Sequence, residues 1–391
     1  MTKQIKNLKE LINKMDKPLL IATILFFIFG LLSIVTASSR EAVVRYEVST
    51  FYYFFKQLKM LLIGLVLSYI LINLKTKSYK FLIPFAYIIV LLLVLSLFVF
   101  GLEINGATNW LPLPIIGTIQ PSELAKPIMI IYMAIIFEQY QRLFESNHPK
   151  RYEKIGLLLF VGLLIPALTF LQKDLGSVLI MAGTFGVLFI FCPIKRSDKF
   201  KTAGLGIVFL ILALAVMVLI KGYLLTPAQA SRFKFINPCS RYETTGYQVC
   251  NGFIALNNGG LFGLGLGKSQ QKYSYIPEPH TDSIFAIIGE ENGALKCSFI
   301  FIGYLFILYR ILKISSKSTT IRGRYICLGI ATYIFLHIFL NLGGLFGSIP
   351  LTGVPLPFLS YGGTFAISLM CSLAVVQRIA IETKSEKIKI K

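Results

Sequence analysis

The chain has 391 residues, of which 55% are hydrophobic and only 15% are Asp, Glu, Lys or Arg, against about 25% charged residues in a typical soluble domain. This composition excludes an ordinary soluble enzyme, a disordered chain and a coiled coil. The formal net charge is +21, but the basic residues stand in short connections between apolar runs, as membrane topology requires, and not in a nucleic-acid-binding pattern. We therefore expect one membrane domain over residues 1–391.

Ten apolar runs are long enough to cross the roughly 30 Å hydrocarbon core of a bilayer. They cover residues 18–36, 58–74, 81–101, 122–138, 155–172, 174–193, 203–222, 282–309, 325–345 and 361–379. Ten crossings place both termini on one side, and Lys and Arg concentrate there, whereas the connections 102–121 and 346–360 on the other side carry none. The positive-inside rule then predicts an all-α polytopic protein of the cytoplasmic membrane, with both termini in the cytoplasm.

The longest connection, residues 223–281 between spans seven and eight, is an outer loop in this topology. Long connections carry function more often than packing. The run 263–269 lacks the first glycine of a P-loop, because Phe262 stands in its place. Its backbone and lysines could bind a phosphate, or it could be a plain flexible loop. Cys239 and Cys250 in the same loop could form a disulfide or remain free.

Ionisable residues at membrane depth are costly, which makes them functional candidates. Asp174 and Asp282 each stand at the outer start of a span, and Glu123 and Lys126 are spaced for one helix face near the outer end of span four. Each also has a structural interpretation. The aspartates could cap helices, and Glu123 with Lys126 could be an ion pair that fixes register.

Four further residues complete the set of unusual polar positions. Glu290 and Glu291 lie about 12 Å deeper than Asp282 along the same helix, with no evident cation nearby. His280 precedes Asp282 by two residues, at what we expect to be an aqueous rim. We interpret His337, in the middle of span nine, as a hydrogen-bonded packing residue.

Four sequence blocks, in order along the chain, resemble one known family. They cover residues 106–110 with 120–126, then 172–177, then 247–282, and finally 350–363. In these blocks the chain is similar to the SEDS family, the FtsW and RodA cell-wall proteins. It departs from the family pattern at Lys173, where Pro is frequent, and at Ser283, where Phe is usual. The short run 267–272 is more similar to FtsW than to RodA.

The resemblance implies a peptidoglycan glycosyltransferase that polymerises lipid II on the outer face of the cytoplasmic membrane, for cell division or shape. The family's essential aspartate matches Asp282, and a carboxylate there is placed to take the proton of the attacking sugar hydroxyl. The residues expected to bind substrate are Glu123, Lys126, Arg232, Arg241, Lys268, Ser269, Gln271, Lys272 and His280. The residues expected to support the site are Asp174, Glu290 and Glu291.

No metal-ligand spacing is visible, although a divalent cation could assist at the pyrophosphate. The resemblance implies lipid II, undecaprenyl lipid, a class B penicillin-binding transpeptidase and other divisome or elongasome proteins as partners, and no nucleic acid. The alternative function is a flippase or transporter of lipid-linked precursors, which would need polar groups through the inner half of the bundle. The polar candidates gather at the outer end, and this favours the glycosyltransferase.

Overall fold

The computed structural model describes residues 10–104, 106–113, 117–222, 237–242, 246–273 and 275–390. Among these residues, helices occupy all ten predicted spans, and a further α-helix, α8, lies in the long loop. The α-helices are α1 Lys17–Tyr46, α2 Tyr52–Asn73, α3 Tyr79–Phe100, α4 Pro121–Glu145, α5 Lys150–Leu171, α6 Leu175–Phe191, α7 Arg196–Lys221, α8 Tyr247–Gly259, α9 Ile284–Lys317, α10 Ile321–Leu345 and α11 Gly363–Ile390.

The helices differ in how much of their apolar surface is covered by protein. Among the described residues, seven helices are long and apolar enough to cross a membrane: α1, α2, α3, α5, α9, α10 and α11. The apolar stretches of α10 and α11 are 67% and 78% buried, whereas those of α1, α2 and α3 are 17–28% buried. Since lipid can solvate an apolar face, the first three helices form a lipid-facing wall and the last two a protein core. The count of ten crossings and their orientation stay predictions.

The connection 102–121 differs from the all-α expectation, because three short strands form there. These are β1 Leu102–Ile104, β2 Ala107–Leu113 and β3 Gly117–Ile119, paired antiparallel in that order. Strands of three to seven residues are too short for a convincing alternation of polar and apolar residues. The N–H of Thr108 donates to the carbonyl of Gln172 at 3.0 Å and ties the sheet to the end of α5. We call the end of the bundle that carries this sheet and residues 246–282 the outer end.

Helix α9 is broken near its outer end, at Gly293 with φ 76° and ψ 170°. The segment that follows α8 packs into this break. The N–H of Leu264 donates to the carbonyl of Glu290 at 2.9 Å, and the N–H of Ala294 donates to the carbonyl of Gly260 at 2.8 Å. Backbone groups freed by a break at membrane depth need such partners. Part of the predicted outer loop is therefore packed against α9 by backbone hydrogen bonds; we call this part the docked loop.

A disulfide joins Cys239 and Cys250, which settles the alternative that the spacing left open. It ties a short 3-10 helix, Pro238–Arg241, to α8. The predicted site residue Arg232 lies outside the described residues.

Candidate functional site

Asp282 lies directly before α9 and is partly exposed. Its Oδ1 accepts hydrogen bonds from Gln248 Nε2 at 3.2 Å and from Thr281 Oγ1 at 3.3 Å. Gln248 Nε2 also contacts Ser283 Oγ at 2.8 Å, so α8 holds the start of α9. The N-cap position of α9 is Ser283, without a side-chain capping bond. The interpretation of Asp282 as a helix cap is therefore wrong.

The surroundings of Asp282 change its acidity. Burial raises the pKa of this carboxyl above its ordinary value, and the hydrogen bonds from Thr281 and Gln248 lower the pKa by less. A carboxylate with a raised pKa is a better proton acceptor near neutral pH than an ordinary aspartate. A perturbed titratable group at a water-accessible position is also typical of catalytic sites.

An irregular segment between α10 and α11, residues 350–357, lies beside Asp282; we call it the proline segment. Asn341 Nδ2 of α10 donates to the carbonyls of Asp282 and Val354, both at 2.7 Å. Gly353 has φ +71°, and a Cβ there would lie 4.0 Å from Asp282 Oδ2. The missing side chain leaves space in front of the carboxylate.

Glu123 and Lys126 form an ion pair in α4 with a distance of 2.6 Å between Lys126 Nζ and Glu123 Oε1. The two residues are 2% and 1% exposed. Lys126 Nζ also lies 3.3 Å from His337 Nε2, and His337 Nδ1 lies 3.2 Å from the carbonyl of Pro355. Because an ammonium only donates, Nε2 accepts and Nδ1 carries the proton. The pair is thus linked through α10 to the proline segment that borders Asp282.

Asp174 caps α6, because its Oδ1 accepts from the N–H of Ser177 at 3.1 Å. Its Oδ2 accepts from Asn109 Nδ2 and Gln120 Nε2, both at 2.9 Å. These three donors satisfy the carboxylate and join β2, the start of α4 and the start of α6. Asp174 therefore stabilises the outer end. Its carboxylate oxygens already accept hydrogen bonds from the protein, which argues against Asp174 as a catalytic base.

Glu291 has a cation partner, contrary to the expectation from sequence. Lys272 Nζ lies 3.1 Å from Glu291 Oε1 and donates to the carbonyl of Gly267 at 2.6 Å. Both side chains of the ion pair are almost fully buried. The expectation was wrong because Lys272 comes from the docked loop and not from a neighbouring helix turn.

Glu290 is fully buried in the same region and is held by neutral donors. Asn258 Nδ2 and the N–H of Gln271 donate to it, each at 3.1 Å, and Ser269 Oγ is a third partner. Ser269, Gln271 and Lys272 are all buried, so these three residues fasten the loop to α9.

Two other basic residues that were expected to bind substrate remain in contact with solvent. Lys268 is exposed and Arg241 is partly exposed.

His280 lies away from an aqueous rim, because it is only 2% exposed. Its Nδ1 lies 3.2 Å from Glu41 Oε2 at the end of α1, and its ring centre lies 4.1 Å from that of Tyr53. Its carbonyl accepts from the N–H of Tyr361 at 2.8 Å. His280 thus anchors the chain just before Asp282 to α1, to α2 and to the residues that precede α11.

Three polar residues at this site were missed or given a smaller role in the sequence analysis: Gln248, His337 and Asn341. His337 and Asn341 are spaced i, i+4 inside an apolar span, which is the signal that could have identified a polar helix face. Among the described residues, no group of three or more His, Cys, Asp or Glu side chains is placed to hold a metal ion.

Comparison with known proteins gives matches over nearly the whole chain. The FTSW_RODA_SPOVE family, described as "Cell cycle protein", matches residues 17–385. The chain is 32% identical over 390 residues to "Probable peptidoglycan glycosyltransferase FtsW" of Bacillus subtilis (strain 168), covering 98% of this chain and 95% of the relative. It is 30% identical to "Stage V sporulation protein E" of the same organism, covering 93% and 96%.

Solved structures share the fold. One is a chain of a peptidoglycan synthase complex in which polymerization and crosslinking are coordinated, with a TM-score of 0.71, 24% identity, and coverage of 94% and 97%. Another is the rod shape determining protein RodA of Thermus thermophilus, with a TM-score of 0.65, 22% identity, and coverage of 94% and 96%. These matches confirm an all-α polytopic fold, and with the apolar helices they identify a multi-pass protein of the cytoplasmic membrane.

Proposed function

Because the chain belongs to the SEDS family of FtsW, RodA and SpoVE proteins, we propose that it is a glycosyltransferase that polymerises lipid II into peptidoglycan strands on the outer face of the cytoplasmic membrane, for cell division or shape. The observation that carries the proposal is Asp282. It is a partly exposed carboxylate with a raised pKa, oriented by Gln248 beside the open space at Gly353.

In this mechanism Asp282 is the general base. It takes the proton of a sugar hydroxyl while that oxygen attacks the anomeric carbon of a second substrate molecule. The bond from the anomeric carbon to the pyrophosphate oxygen breaks, and undecaprenyl pyrophosphate leaves with the electron pair. Negative charge develops on the leaving oxygen, so cations near that oxygen lower the barrier.

We assign the pyrophosphate contact to three basic residues of the outer segment, Lys268, Arg241 and Arg232. Lys268 is exposed on the docked loop, and Arg241 lies on the disulfide-tied helix. Arg232 precedes them in the same segment. Lys272 was expected to join this group, but its burial against Glu291 supports a structural role instead. Lys126 also has partners within the protein, because its ammonium group forms an ion pair with Glu123 and contacts His337.

The undecaprenyl tail needs an apolar site close to Asp282. A cavity of about 280 Å³ lies between α8, α9 and the end of α10. Leu256, Phe285, Gly289 and Phe346 are among its lining residues, and Phe285 follows Asp282 by three residues. The position and lining of this cavity support it as the place where the tail enters the protein.

The proposed partner is a class B penicillin-binding transpeptidase, which would crosslink the strands as they form. The support is the shared fold with a chain of a complex that coordinates polymerization and crosslinking.

The test is incubation of the purified protein with lipid II in detergent, with and without the transpeptidase, followed by separation of the glycan products by size. We expect strands longer than the starting disaccharide. A protein that moves labelled lipid II between the leaflets of vesicles, yet makes no polymer with its partner present, would instead be the flippase alternative.

A further inference from the structure

A basic cavity lies at the opposite end of the bundle from Asp282. Its volume is about 450 Å³, and it forms where the start of α1 meets the ends of α9 and α11. By the charge pattern of the sequence this end faces the cytoplasm. The cavity belongs to no part of the proposed reaction.

The base of the cavity is a fixed set of contacts. Asp16 caps α1 by accepting from the N–H of Leu19 at 3.1 Å, and Arg310 Nε donates to the same carboxylate at 3.1 Å. Gln377 of α11 binds both the N–H and the carbonyl of Asp16, at 2.8 and 3.1 Å. The cavity is therefore held by three helices and does not depend on a mobile side chain.

The cavity lining carries five cationic side chains and one carboxylate, Asp16, which Arg310 already neutralises. The cations are Lys17, Arg310, Lys313, Lys317 and Lys384. Within the described part of the chain, Lys17, Lys313 and Lys317 make no ion pair, whereas Asp16 and Arg310 do. The cavity therefore holds an excess of positive charge with no protein anion to balance it, and an anionic ligand would relieve the repulsion.

The walls beside these cations include apolar residues. Pro18, Ile314 and Ala380 line the cavity. Ile21 of α1 and Tyr309 and Leu312 of α9 are exposed and lie within three positions of lining residues in the sequence. A ligand with a negative head and an apolar body fits this arrangement better than a free anion does.

We propose that this cavity binds the phosphate headgroup of an anionic phospholipid of the inner leaflet, with the acyl chains along α1 and α9. Basic pockets between membrane helices on the cytoplasmic side are suited to such headgroups. Lys17, Lys313 and Lys317 provide the contacts, and the site adds an anionic lipid as a structural ligand of the inner end. Lys384, which also makes no ion pair among the described residues, donates to the carbonyl of Met15.

The test is native mass spectrometry of the full chain after incubation with vesicles of equal parts phosphatidylglycerol and phosphatidylcholine. We expect the wild-type protein to retain the anionic lipid about tenfold or more over the zwitterionic one. The triple variant Lys17→Gln, Lys313→Gln, Lys317→Gln should lose that preference, and the triple Arg variant should keep it. The matched control is Lys75→Gln, Lys77→Gln, Lys80→Gln, which removes three exposed lysines at the same face but away from the cavity.

Two results would overturn the proposal. One is equal retention of phosphatidylglycerol by the cavity variant and the control variant. The other is displacement of the lipid by millimolar inorganic phosphate or glycerol 3-phosphate, since that would identify a site for a soluble anion. Retained lipid that resists both soluble phosphates in the wild type, and is lost in the cavity variant alone, supports it.

Discussion

Asp174 and Asp282 both precede an apolar helix, but their carboxylates differ in their hydrogen bonds and exposure. Asp174 accepts from three fixed donors, one of them the backbone N–H that it caps. Asp282 accepts from two weaker side-chain donors, keeps part of its surface in contact with solvent and has a raised pKa. The first carboxylate stabilises the fold, and the second is available for proton transfer.

The raised pKa of Asp282 predicts a pH dependence. The base must be ionised to act, so the polymerisation rate should fall as the pH is lowered, and the acid limb should lie above the value of about 3.9 for an exposed aspartate. Gln248→Ala removes a hydrogen bond that lowers this pKa, and it should move the acid limb to higher pH still. The measurement is kcat/KM for lipid II between about pH 4 and 8. An acid limb that does not move in the Gln248 variant would contradict the positioning role of that residue.

The buried pair predicts strong coupling between Glu123 and Lys126. Removing either charge alone leaves the other buried without a partner, at a cost of about 3–5 kcal/mol. Glu123→Gln and Lys126→Met should each lower both the free energy of unfolding in detergent and the activity. The double variant should cost much less than the sum. Glu153→Gln is the matched control, because Glu153 and Lys154 have the same 2.6 Å distance at an exposed position. Additive effects in the cycle would show that the pair does not interact.

The two lysines of the docked loop predict different defects. Lys268→Gln removes an exposed cation, so it should raise the apparent KM for lipid II severalfold and weaken the salt dependence, since exposed charges are screened within about 8 Å at physiological ionic strength. Lys272→Gln leaves Glu291 unpaired and should lower stability instead. Lys201→Gln, at the predicted cytoplasmic face, is the control for KM. Identical kinetic defects for Lys268 and Lys272 would contradict this division of roles.

At the scale of elements, the site is made by backbone segments that meet between helices. The proline segment is held by two polar residues of one face of α10, and the loop after α8 fills the break in α9 at Gly293. Periodicity along the sequence locates each helix but contains no information about which loop docks on which helix. The ten helices could therefore be predicted, whereas the three strands, the break at Gly293 and the partner of Glu291 could not.

Gly267 and Gly293 have the same φ of +76°, but only Gly293 lies at the break in α9. We therefore expect a side chain to be tolerated less well at Gly293 than at Gly267. A Cβ at Gly293 would lie 2.4 Å from the nitrogen of Gly263, whereas a Cβ at Gly267 has no atom within 4 Å. Alanine bears backbone strain of about 1–3 kcal/mol at such positive φ values. At Gly293, where ψ is 170°, the clash with the docked loop adds to that strain. We expect a lower melting temperature and faster hydrogen exchange over residues 260–272 in Gly293→Ala. Equal effects of the two substitutions would argue against a docked loop.

In the whole molecule, the lipid-facing helices are separate from the buried ones, and polar residues gather at the two ends of the bundle. The outer end contains the candidate reaction site, and the inner end contains the basic cavity. Asp282 and the Glu123–Lys126 pair could be identified from sequence because charge is rare in an apolar chain. Gln248, His337 and Asn341 were harder to identify, because their function depends on which carbonyls and carboxylates they contact in the folded protein.

We expect Asp282→Asn to separate catalysis from folding when polymerisation of lipid II and thermal unfolding are measured in the same detergent. Asparagine keeps the oxygen that accepts from Gln248 and Thr281 but cannot take a proton, so activity should fall by about 10²–10⁴-fold. The folded state raises the pKa of Asp282, so at a pH above that pKa the ionised carboxylate destabilises the folded protein. Asparagine carries no charge, and the variant should therefore melt at the wild-type temperature or higher at neutral pH. A variant that polymerises lipid II at the wild-type rate would contradict the assignment of Asp282 as the base.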